Sequence, residues 1–279
     1  MARPHRADSS VPLALTIAGS DSGGGAGVQA DLRTFAALGV YGASAITALT
    51  AQSTVEVRAV QPVPASFVAA QIDTVLDDLP IRIAKTGMLH DRAVVEVVAE
   101  RIAARGLEVV VDPVMVSESG ARLLDRGAEQ AIIERLFPLA RLVTPNLPEV
   151  EALIGTLPAT VESMVAAARA LIDRGASAAL IKGGHLQGDP IDVLLERDGS
   201  PVVLGGTRIV TRATHGTGCT YSAAIAAGLA KGFALERAVR EAHDYLAQAI
   251  AAAAAAAPIG HGHGPVHHLH PYYPWPAKA

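Results

Sequence analysis

The chain has 279 residues, of which 50% are hydrophobic and 18% charged, a composition typical of a globular protein and not of a disordered one. Its formal net charge is -4 and no long basic stretch occurs, so nucleic acid is not an expected partner. The single cysteine excludes an internal disulfide and favours a reducing, cytoplasmic environment.

The first buried element follows a short N-terminal segment. Residues 1–10 are expected to be a disordered tail, and the apolar run Val11–Ala18 is interpreted as the first core strand. Arg3 and Arg6 give this region a loose likeness to a signal peptide, but the run is only one strand long and glycines follow it directly, which argues against export. The alanine-rich run Ala249–Pro258 is likewise shorter than the roughly 20 residues of a membrane span.

Strand-like and helix-like patterns alternate along the rest of the chain. Strand patterns occur at Gly42–Gln52, Ile81–Met88, Leu107–Val114, Ala140–Asn146 and Ala178–Gly184, with a hairpin pattern at Ile191–Glu196 and Pro201–Val210. Helical spacing of apolar residues occurs at Val28–Leu38, Val68–Leu79, Val94–Ile102, Glu162–Arg174, Gly218–Lys231 and Leu235–Ala257. This alternation predicts an α/β fold in a single domain, residues 11–279, with a mostly parallel sheet covered on both faces.

Six short motifs begin where a predicted strand ends. They are AGSD, TAQ, KTGM, VDPVM, TPNLPE and IKGGH. Because parallel sheets bind ligands beyond the carboxyl ends of their strands, the shared position of these motifs predicts one common site.

The glycine-rich stretch Gly19–Asp31, GSDSGGGAGVQAD, lies between the first strand and the first helix. Glycines let a ligand approach the backbone closely, so the stretch suits a small-molecule pocket; a flexible turn is the alternative. Its spacing does not match the dinucleotide-binding fingerprint, and the chain contains no P-loop motif. A nucleotide must therefore be held in another way.

The stretch Thr214–Thr220, THGTGCT, is the best candidate for holding a phosphoryl group. A helix start is expected here, and its dipole favours negative charge near four backbone amides, those of Gly216, Thr217, Gly218 and Cys219. The same field is expected to lower the thiol pKa of Cys219 below its usual value of about 8.5, so that the thiol helps to orient or deprotonate an alcohol. An inert buried cysteine after a glycine turn is the alternative.

Polar residues that follow three other strands suit a magnesium and nucleotide site. Mg²⁺ prefers hard oxygen ligands and needs only one or two carboxylates besides phosphate, which Asp112 and Glu149 could supply. Asn146 and Glu149 also have the spacing of a helix capping box, and the two roles are compatible. Lys182 could meet nucleotide phosphates, a lone exposed lysine being the alternative. The histidine-rich stretch Gly260–His270 matches no zinc-ligand spacing and is interpreted as a packed or solvated tail.

The motifs also occur in a characteristic order along the chain. They are ALTIAGSDSGGGAGVQADLRTFAALGVYG, ITALTAQ, KTGML, VDPVM, TPNLPE, IKGGH, THGTGCT and GHGHGPVHH. In these stretches, which run from about Leu13 to His270, the chain resembles the hydroxymethylpyrimidine/phosphomethylpyrimidine kinases of thiamine biosynthesis, a ribokinase-like family.

The resemblance implies a three-layer α/β/α sandwich without the large lid of sugar kinases. It implies an enzyme that phosphorylates 4-amino-5-hydroxymethyl-2-methylpyrimidine to the monophosphate and then to the diphosphate. ATP would be the co-substrate and Mg²⁺ the cofactor of both steps, and the family suggests a homodimer. No membrane partner is expected.

The resemblance also assigns roles to residues of this chain. For the pyrimidine, Gln52 matches the binding glutamine, and the other pocket positions fall on Gly19, Ala26, Asp31, Thr50 and Met88. For the nucleotide, metal and transferred group, the matching positions are Lys182, Asn146 and Thr217 for ATP, Asp112 and Glu149 for the metal, and Gly216, Thr217, Gly218 and Cys219 for an anion hole. Two positions depart from expectation. Thr50 replaces an expected apolar residue, and Cys219 replaces the aspartate base of most ribokinase relatives, although that cysteine is characteristic of this family.

Several alternatives remain open at the level of sequence. A pyridoxal or pyridoxine kinase shares the fold, but Gln52 and Met88 favour the aminopyrimidine. A pyrimidine-binding protein without catalytic activity is a second alternative, against which the intact polar residues argue. A sugar kinase ranks lowest. Because only the first acceptor is an alcohol, Cys219 is hypothesised to matter more for the first phosphorylation than for the second.

Overall fold

The predicted alternation of strands and helices is present in a computed structural model, which describes residues 11–116, 120, 123–125 and 127–278. The tail predicted at residues 1–10 lies outside the described residues. The strands are β1 (Leu13–Asp21), β2 (Tyr41–Gln52), β3 (Val57–Pro62), β4 (Ile83–Thr86), β5 (Glu108–Val111), β6 (Ala140–Val143), β7 (Ala178–Ile181), β8 (Ile191–Glu196) and β9 (Val202–Gly205). The helices are α1 (Gly27–Ala37), α2 (Ala65–Asp78), α3 (Arg92–Arg105), α4 (Ala128–Ala131), α5 (Leu147–Ile154), α6 (Val161–Asp173), α7 (Thr217–Ala230) and α8 (Leu235–Ala255).

All nine described strands belong to one sheet in the order β3-β2-β1-β4-β5-β6-β7-β8-β9. The six central strands, β2 to β7 in this order, are parallel, whereas β3 at one edge and β8 and β9 at the other are antiparallel to their neighbours. The predicted mostly parallel sheet is therefore confirmed.

The register of the central strands brings their carboxyl ends together. Thr86 pairs with Val111, and Val111 pairs with Val143. The residues that follow, Asp112 among them, therefore lie at the same edge of the sheet. This edge is where the strand-end motifs predict a ligand site.

Helices cover both faces of the sheet. On one face, α1, α7 and α8 pack around Phe35, Tyr221 and Ile225. On the other, α2 to α6 bury a larger cluster that includes Ile72 and Val98. These three layers confirm the predicted α/β/α architecture. Among the described helices, none is long and apolar enough to cross a membrane.

Several boundaries differ from those expected from sequence. The first strand continues to Asp21, three residues beyond its predicted end, because it pairs with β2 as far as Thr50. The strands predicted at Ile81–Met88 and Leu107–Val114 end earlier, at Thr86 and Val111, and the residues after them form loops at the site. The edge strand β3 was not predicted, since none of its residues is buried and it carries the polar side chains of Arg58 and Gln61.

Candidate active site

A cleft of about 440 Å³ opens at the carboxyl edge of the sheet. Because neighbouring strands line it in sheet order, residues at or directly after the ends of β1, β2 and β4 lie at one end, and residues after β5, β6 and β7 lie in the middle. Residues next to β9 and on α8 line the other end. The cleft brings together thirteen predicted site residues in its lining, namely Gly19, Ala26, Thr50, Gln52, Met88, Asp112, Asn146, Glu149, Lys182, Gly216, Thr217, Gly218 and Cys219.

Asp31 is the exception, and its predicted role in the substrate pocket is wrong. Its side chain is completely buried in the protein, where both carboxylate oxygens lie 2.9 Å from Nζ of Lys85. Thr16 donates a further hydrogen bond to the same carboxylate. Burial alone would lower the pKa of Lys85, but nearby negative charges, that of Asp31 first, together with the hydrogen bond to Asp31 outweigh it and raise the pKa. The two residues therefore form an ion pair in the core and do not line the cleft.

The glycine-rich loop after β1 is organised by Asp21, a residue that sequence reasoning did not single out. Its carboxylate accepts hydrogen bonds from the backbone amides of Gly23, Gly25 and Ala26 at 2.8–3.0 Å. Nε2 of His215 lies 2.8 Å from the same carboxylate. Burial would raise the pKa of Asp21, but these hydrogen bonds outweigh it and lower the pKa. Asp21 thus links the loop to the segment that precedes α7.

Residues 216–219, whose four backbone amides are predicted to bind an anion, lie at the start of α7. Gly216 is the N-cap of α7 and has a left-handed backbone with a φ of 81°. The amide of Thr217 donates to the carbonyl of Thr214 at 3.2 Å. Among the described residues, no acceptor is present for the amides of Gly218 and Cys219, as is usual in the first turn of a helix. These two amides lie in the cleft lining at the positive end of the helix dipole.

The predicted lowering of the Cys219 thiol pKa is wrong. Burial raises this pKa to about 11, although Lys85 and a backbone hydrogen bond from Gly27 oppose the effect. The cost of burying a thiolate therefore exceeds the gain from the helix start and the nearby cation. At neutral pH, Cys219 is therefore a protonated thiol.

A buried polar network lies in the middle of the cleft. Nζ of Lys182 is 2.8 Å from Oδ1 of Asp112, and Thr144 and Ser222 donate to the Asp112 carboxylate at 3.1 Å. Burial would lower the pKa of Lys182, but Asp112 and Glu149 outweigh it and raise the pKa. Lys182 is therefore a buried, charged partner of Asp112 and not a lone exposed lysine.

Asn146 and Glu149 form the capping box that their spacing predicts. Oδ1 of Asn146 accepts from the Glu149 amide at 2.9 Å, and Oε2 of Glu149 accepts from the Asn146 amide at 2.8 Å. Burial, opposed by Lys182 and reinforced by Asp112, raises the pKa of Glu149 to about 7. A cation beside the two carboxylates would relieve this crowding of negative charge, so the donor set fits Mg²⁺, which prefers such hard oxygen ligands.

The far end of the cleft is lined from β8, β9 and α8. Thr207 and Ile209 follow β9, and His243 and Ile250 extend from α8. Arg208 donates to three backbone carbonyls of residues 184–188 and so ties the loop after β7 to the loop after β9. This end combines apolar side chains with polar groups, as sites for flat heterocycles usually do.

The histidine-rich tail is packed against the protein. The ring of His267 stacks on Trp275 with centroids 4.0 Å apart, and Nε2 of His268 lies 3.0 Å from the Thr220 hydroxyl. The amide of His215 donates to the carbonyl of Gly264 at 3.0 Å. These contacts fit a packed tail, one of the two forms expected from sequence.

Comparison with known proteins identifies the family. Residues 21–267 match the sequence model of the family described as phosphomethylpyrimidine kinase. The hydroxymethylpyrimidine/phosphomethylpyrimidine kinase of Rhizobium meliloti is 52% identical over 259 residues, which are 92% of this chain and 97% of that protein.

Solved structures of related kinases have the same fold as this chain. A crystal structure of phosphomethylpyrimidine kinase from Clostridium difficile has a TM-score of 0.76 and 39% identity, covering 85% of this chain and 99% of that one. An ADP complex of Bacillus subtilis pyridoxal kinase has a TM-score of 0.85 and 38% identity, covering 93% of this chain and 98% of that one. The predicted ribokinase-like fold is therefore confirmed.

Proposed function

We infer the reaction from the family: the chain belongs to the phosphomethylpyrimidine kinase family, and we propose that it phosphorylates 4-amino-5-hydroxymethyl-2-methylpyrimidine twice. The first transfer from ATP gives the monophosphate and the second gives the diphosphate, both in thiamine biosynthesis. The observation that carries this proposal is the free amide pair of Gly218 and Cys219, which lines the same cleft as Gln52 and Lys182.

The pyrimidine is proposed to bind at the end of the cleft between β1 and β2. Gln52 offers both a donor and an acceptor to the aminopyrimidine edge. Gly19, Ala26 and Met88 line the same end and would contact the ring. This placement directs the 5-hydroxymethyl group toward the turn at residues 216–219.

The nucleotide is proposed to bind along the rest of the cleft. Thr207, Ile209 and Ile250 would contact the base. Lys182, Asn146 and Thr217 line the middle, where the ATP phosphates would lie. Asp112 and Glu149 would hold Mg²⁺, which would neutralise negative charge on the phosphates.

Transfer of the γ-phosphoryl group places developing negative charge on its equatorial oxygens. The amides of Gly218 and Cys219 and the ammonium of Lys182 are proposed to bind these oxygens. In the first step, the acceptor alcohol forms a bond to phosphorus, the bond to the ADP oxygen breaks, and the alcohol proton is released. Because such transition states are loose, the acceptor alcohol loses its proton late in the transfer, and no strong base is required.

Cys219 is therefore proposed to position the acceptor and not to deprotonate it. Its protonated thiol lies among the groups that bind the transferred phosphoryl, and a hydrogen bond from it would orient the acceptor oxygen. In the second step, the acceptor is a phosphate oxygen that is already ionised near neutral pH. The thiol should matter less there.

Product analysis tests the proposed function. The purified chain is incubated with Mg-ATP and the hydroxymethylpyrimidine, and mass spectrometry follows the monophosphate and the diphosphate. Sequential appearance of both products is expected. Binding of the pyrimidine without ATP consumption would instead favour the non-catalytic alternative.

The pyridoxal kinase alternative is tested in the same assay. The Bacillus subtilis neighbour is named a pyridoxal kinase, so pyridoxal is the natural competing substrate. Turnover of the aminopyrimidine is expected to exceed that of pyridoxal, because Gln52 can pair with two adjacent atoms of the aminopyrimidine edge. Faster turnover of pyridoxal would contradict the assignment.

The proposal also covers the domain organisation, the oligomeric state and the cellular location of the enzyme. Residues 11–279 would act as one kinase domain, the active species would be a homodimer, and the enzyme would work in the cytoplasm. The lone unpaired cysteine in the chain supports the last point. Sedimentation of the purified chain tests the dimer.

A further inference from the structure

The side-chain amide of Gln52 meets a different neighbour at each end. Its Nε2 atom lies 3.4 Å from Nε2 of His215, and its Oε1 atom lies 3.2 Å from the Thr50 hydroxyl oxygen. An amide donates from its nitrogen and accepts at its oxygen. The hydrogen-bonding state of the two neighbours therefore decides which way the amide faces.

His215 can only donate at this contact. Its Nε2 atom lies 2.8 Å from Oδ2 of Asp21, and the lowered pKa of Asp21 keeps that carboxylate ionised. An ionised carboxylate only accepts, so Nε2 of His215 carries a hydrogen whether the imidazole is neutral or charged. The approach of the Gln52 nitrogen to His215 consequently pairs two donors.

The Thr50 hydroxyl faces two oxygen atoms. Its hydroxyl oxygen lies 3.0 Å from the carbonyl oxygen of Ser20 and 3.2 Å from Oε1 of Gln52. A hydroxyl has one hydrogen to donate but can also accept. It cannot donate to both oxygens at full strength.

A half-turn of the Gln52 amide about its last side-chain bond relieves the contact between two donors and removes the conflict at Thr50, since the amide oxygen and nitrogen occupy nearly the same volume. Oε1 then faces the single Nε2 hydrogen of His215, which it shares with Asp21. Nε2 donates to the Thr50 oxygen, whose own hydrogen goes to the Ser20 carbonyl. We infer that this reversed orientation is the functional one and that Thr50 is the positioning residue that holds it. The apolar residue expected at position 50 could not accept that hydrogen bond.

The inferred role of Thr50 rests on the proposed function. The 5-hydroxymethyl group must point toward the turn at residues 216–219, so the ring cannot turn over to suit the amide. When the Gln52 amide is fixed, its remaining oxygen lone pair can accept one hydrogen bond and its remaining N–H can donate one. The 4-amino pyrimidine offers a donor at the 4-amino group and an acceptor at N3. A 4-oxo ring instead offers an acceptor at O4 and a donor at N3–H, so it does not match an amide held for the 4-amino ring. Thr50 would thus set discrimination between 4-amino and 4-oxo pyrimidines.

The kinetic test compares Thr50→Val with Thr50→Ser, which keeps the hydroxyl. The measured quantity is the ratio of kcat/KM for the 4-amino substrate to that for its 4-oxo analogue. Loss of one neutral hydrogen bond is worth up to about tenfold, so Thr50→Val should lower the ratio by about three- to tenfold. Thr50→Ser should stay within about twofold of the wild-type ratio. A purely structural role would lower both rates and leave the ratio unchanged, which would overturn the inference.

A second measurement does not depend on activity. Neutron diffraction from crystals of the deuterated, ligand-free protein locates the deuterium atoms of the Gln52 amide. Deuterium on the atom that faces Thr50 supports the inferred orientation, and deuterium facing His215 overturns it. If the wild-type protein failed to phosphorylate the aminopyrimidine, the proposed function would fall, while the amide orientation would still be decided by this measurement.

Discussion

Two glycines at the ends of helix α7 allow the position of the proposed phosphoryl-binding turn to be tested with a matched control. Gly216 precedes the helix and Gly232 follows it, and their φ angles are 81° and 80°. A β-carbon on Gly216 would overlap the carbonyl oxygen of Gly25. A β-carbon on Gly232 would meet no atom within 4 Å in the described part of the chain, apart from its two sequence neighbours. Alanine at position 232 therefore measures the backbone cost alone, and alanine at position 216 adds a collision between the two loops of the site.

The two costs can be compared. A left-handed backbone costs a non-glycine residue about 1–2 kcal/mol, which Gly216→Ala and Gly232→Ala share. Overpacking adds about 1–3 kcal/mol at Gly216 only. At about 2–4 °C per kcal/mol, Gly232→Ala should lower Tm by a few degrees and Gly216→Ala by roughly twice as much. A displacement on the order of 1 Å in groups that position reactants costs about 100-fold in rate, so kcat/KM of Gly216→Ala should fall by about that factor.

The assay measures Tm by calorimetry and initial rates of ADP formation with the hydroxymethylpyrimidine as acceptor. Rates are taken well below the Tm of both variants, so that loss of folded protein does not contribute. Gly232→Ala should keep its rate within about twofold, since none of the described residues 228–236 lines the cleft. Equal rates for the two variants would refute the reasoning, because the collision at Gly25 would then have no effect on the site.

Other variants test single contacts. Asp31→Asn leaves the Lys85 ammonium buried without its counter-charge, so it should cost about 3–5 kcal/mol in urea unfolding and leave the pyrimidine KM unchanged. A raised KM for the pyrimidine at unaltered stability would show that Asp31 does contribute to the substrate pocket. Alkylation of Cys219 by iodoacetamide should accelerate with rising pH up to about pH 11, because only the thiolate reacts and the pKa is raised. A rate that levels off below about pH 9 would contradict this. Cys219→Ala should slow the first phosphorylation about tenfold more than the second, one hydrogen bond to the acceptor alcohol being lost; equal losses would exclude the differential role. Lys182→Met should lower kcat/KM for ATP by about 100-fold, and unchanged ATP kinetics would remove this lysine from the nucleotide site.

The positions of most site residues follow from topology and could be predicted. Gln52, Asp112 and Lys182 each come at or directly after the end of a strand, and parallel strands end at one edge of a sheet. Which of them touch each other is set by strand order, which alternation alone does not specify. The 2.8 Å contact between Lys182 and Asp112 depends on β5, β6 and β7 being adjacent.

The error at Asp31 has a physical cause that the sequence contains. Asp31 lies three residues after Val28 and four before Phe35, so it shares the buried face of α1. Lys85 is likewise a charged residue inside the fully buried strand β4. Since a buried charge needs a partner, the two residues together indicate an ion pair in the core and not a ligand contact.

The thiol of Cys219 shows where a local rule fails. A helix start lowers a thiol pKa when water or charged groups also stabilise the thiolate. Here burial dominates and the pKa rises to about 11. Burial depends on how α7 packs against the rest of the site, which the sequence around the cysteine does not reveal. The Asp21–His215 contact was missed for the same reason, because it joins residues 194 positions apart.

The central claim is that the amides of Gly218 and Cys219 bind the phosphoryl group while it moves between ATP and a pyrimidine held by Gln52. A crystal structure with Mg-ADP, aluminium fluoride and the hydroxymethylpyrimidine measures this most directly. The account predicts the fluoride group within hydrogen-bonding distance of both amides, with the aminopyrimidine edge on the Gln52 side chain. A fluoride group bound away from this turn, or a pyrimidine bound away from Gln52, would contradict it.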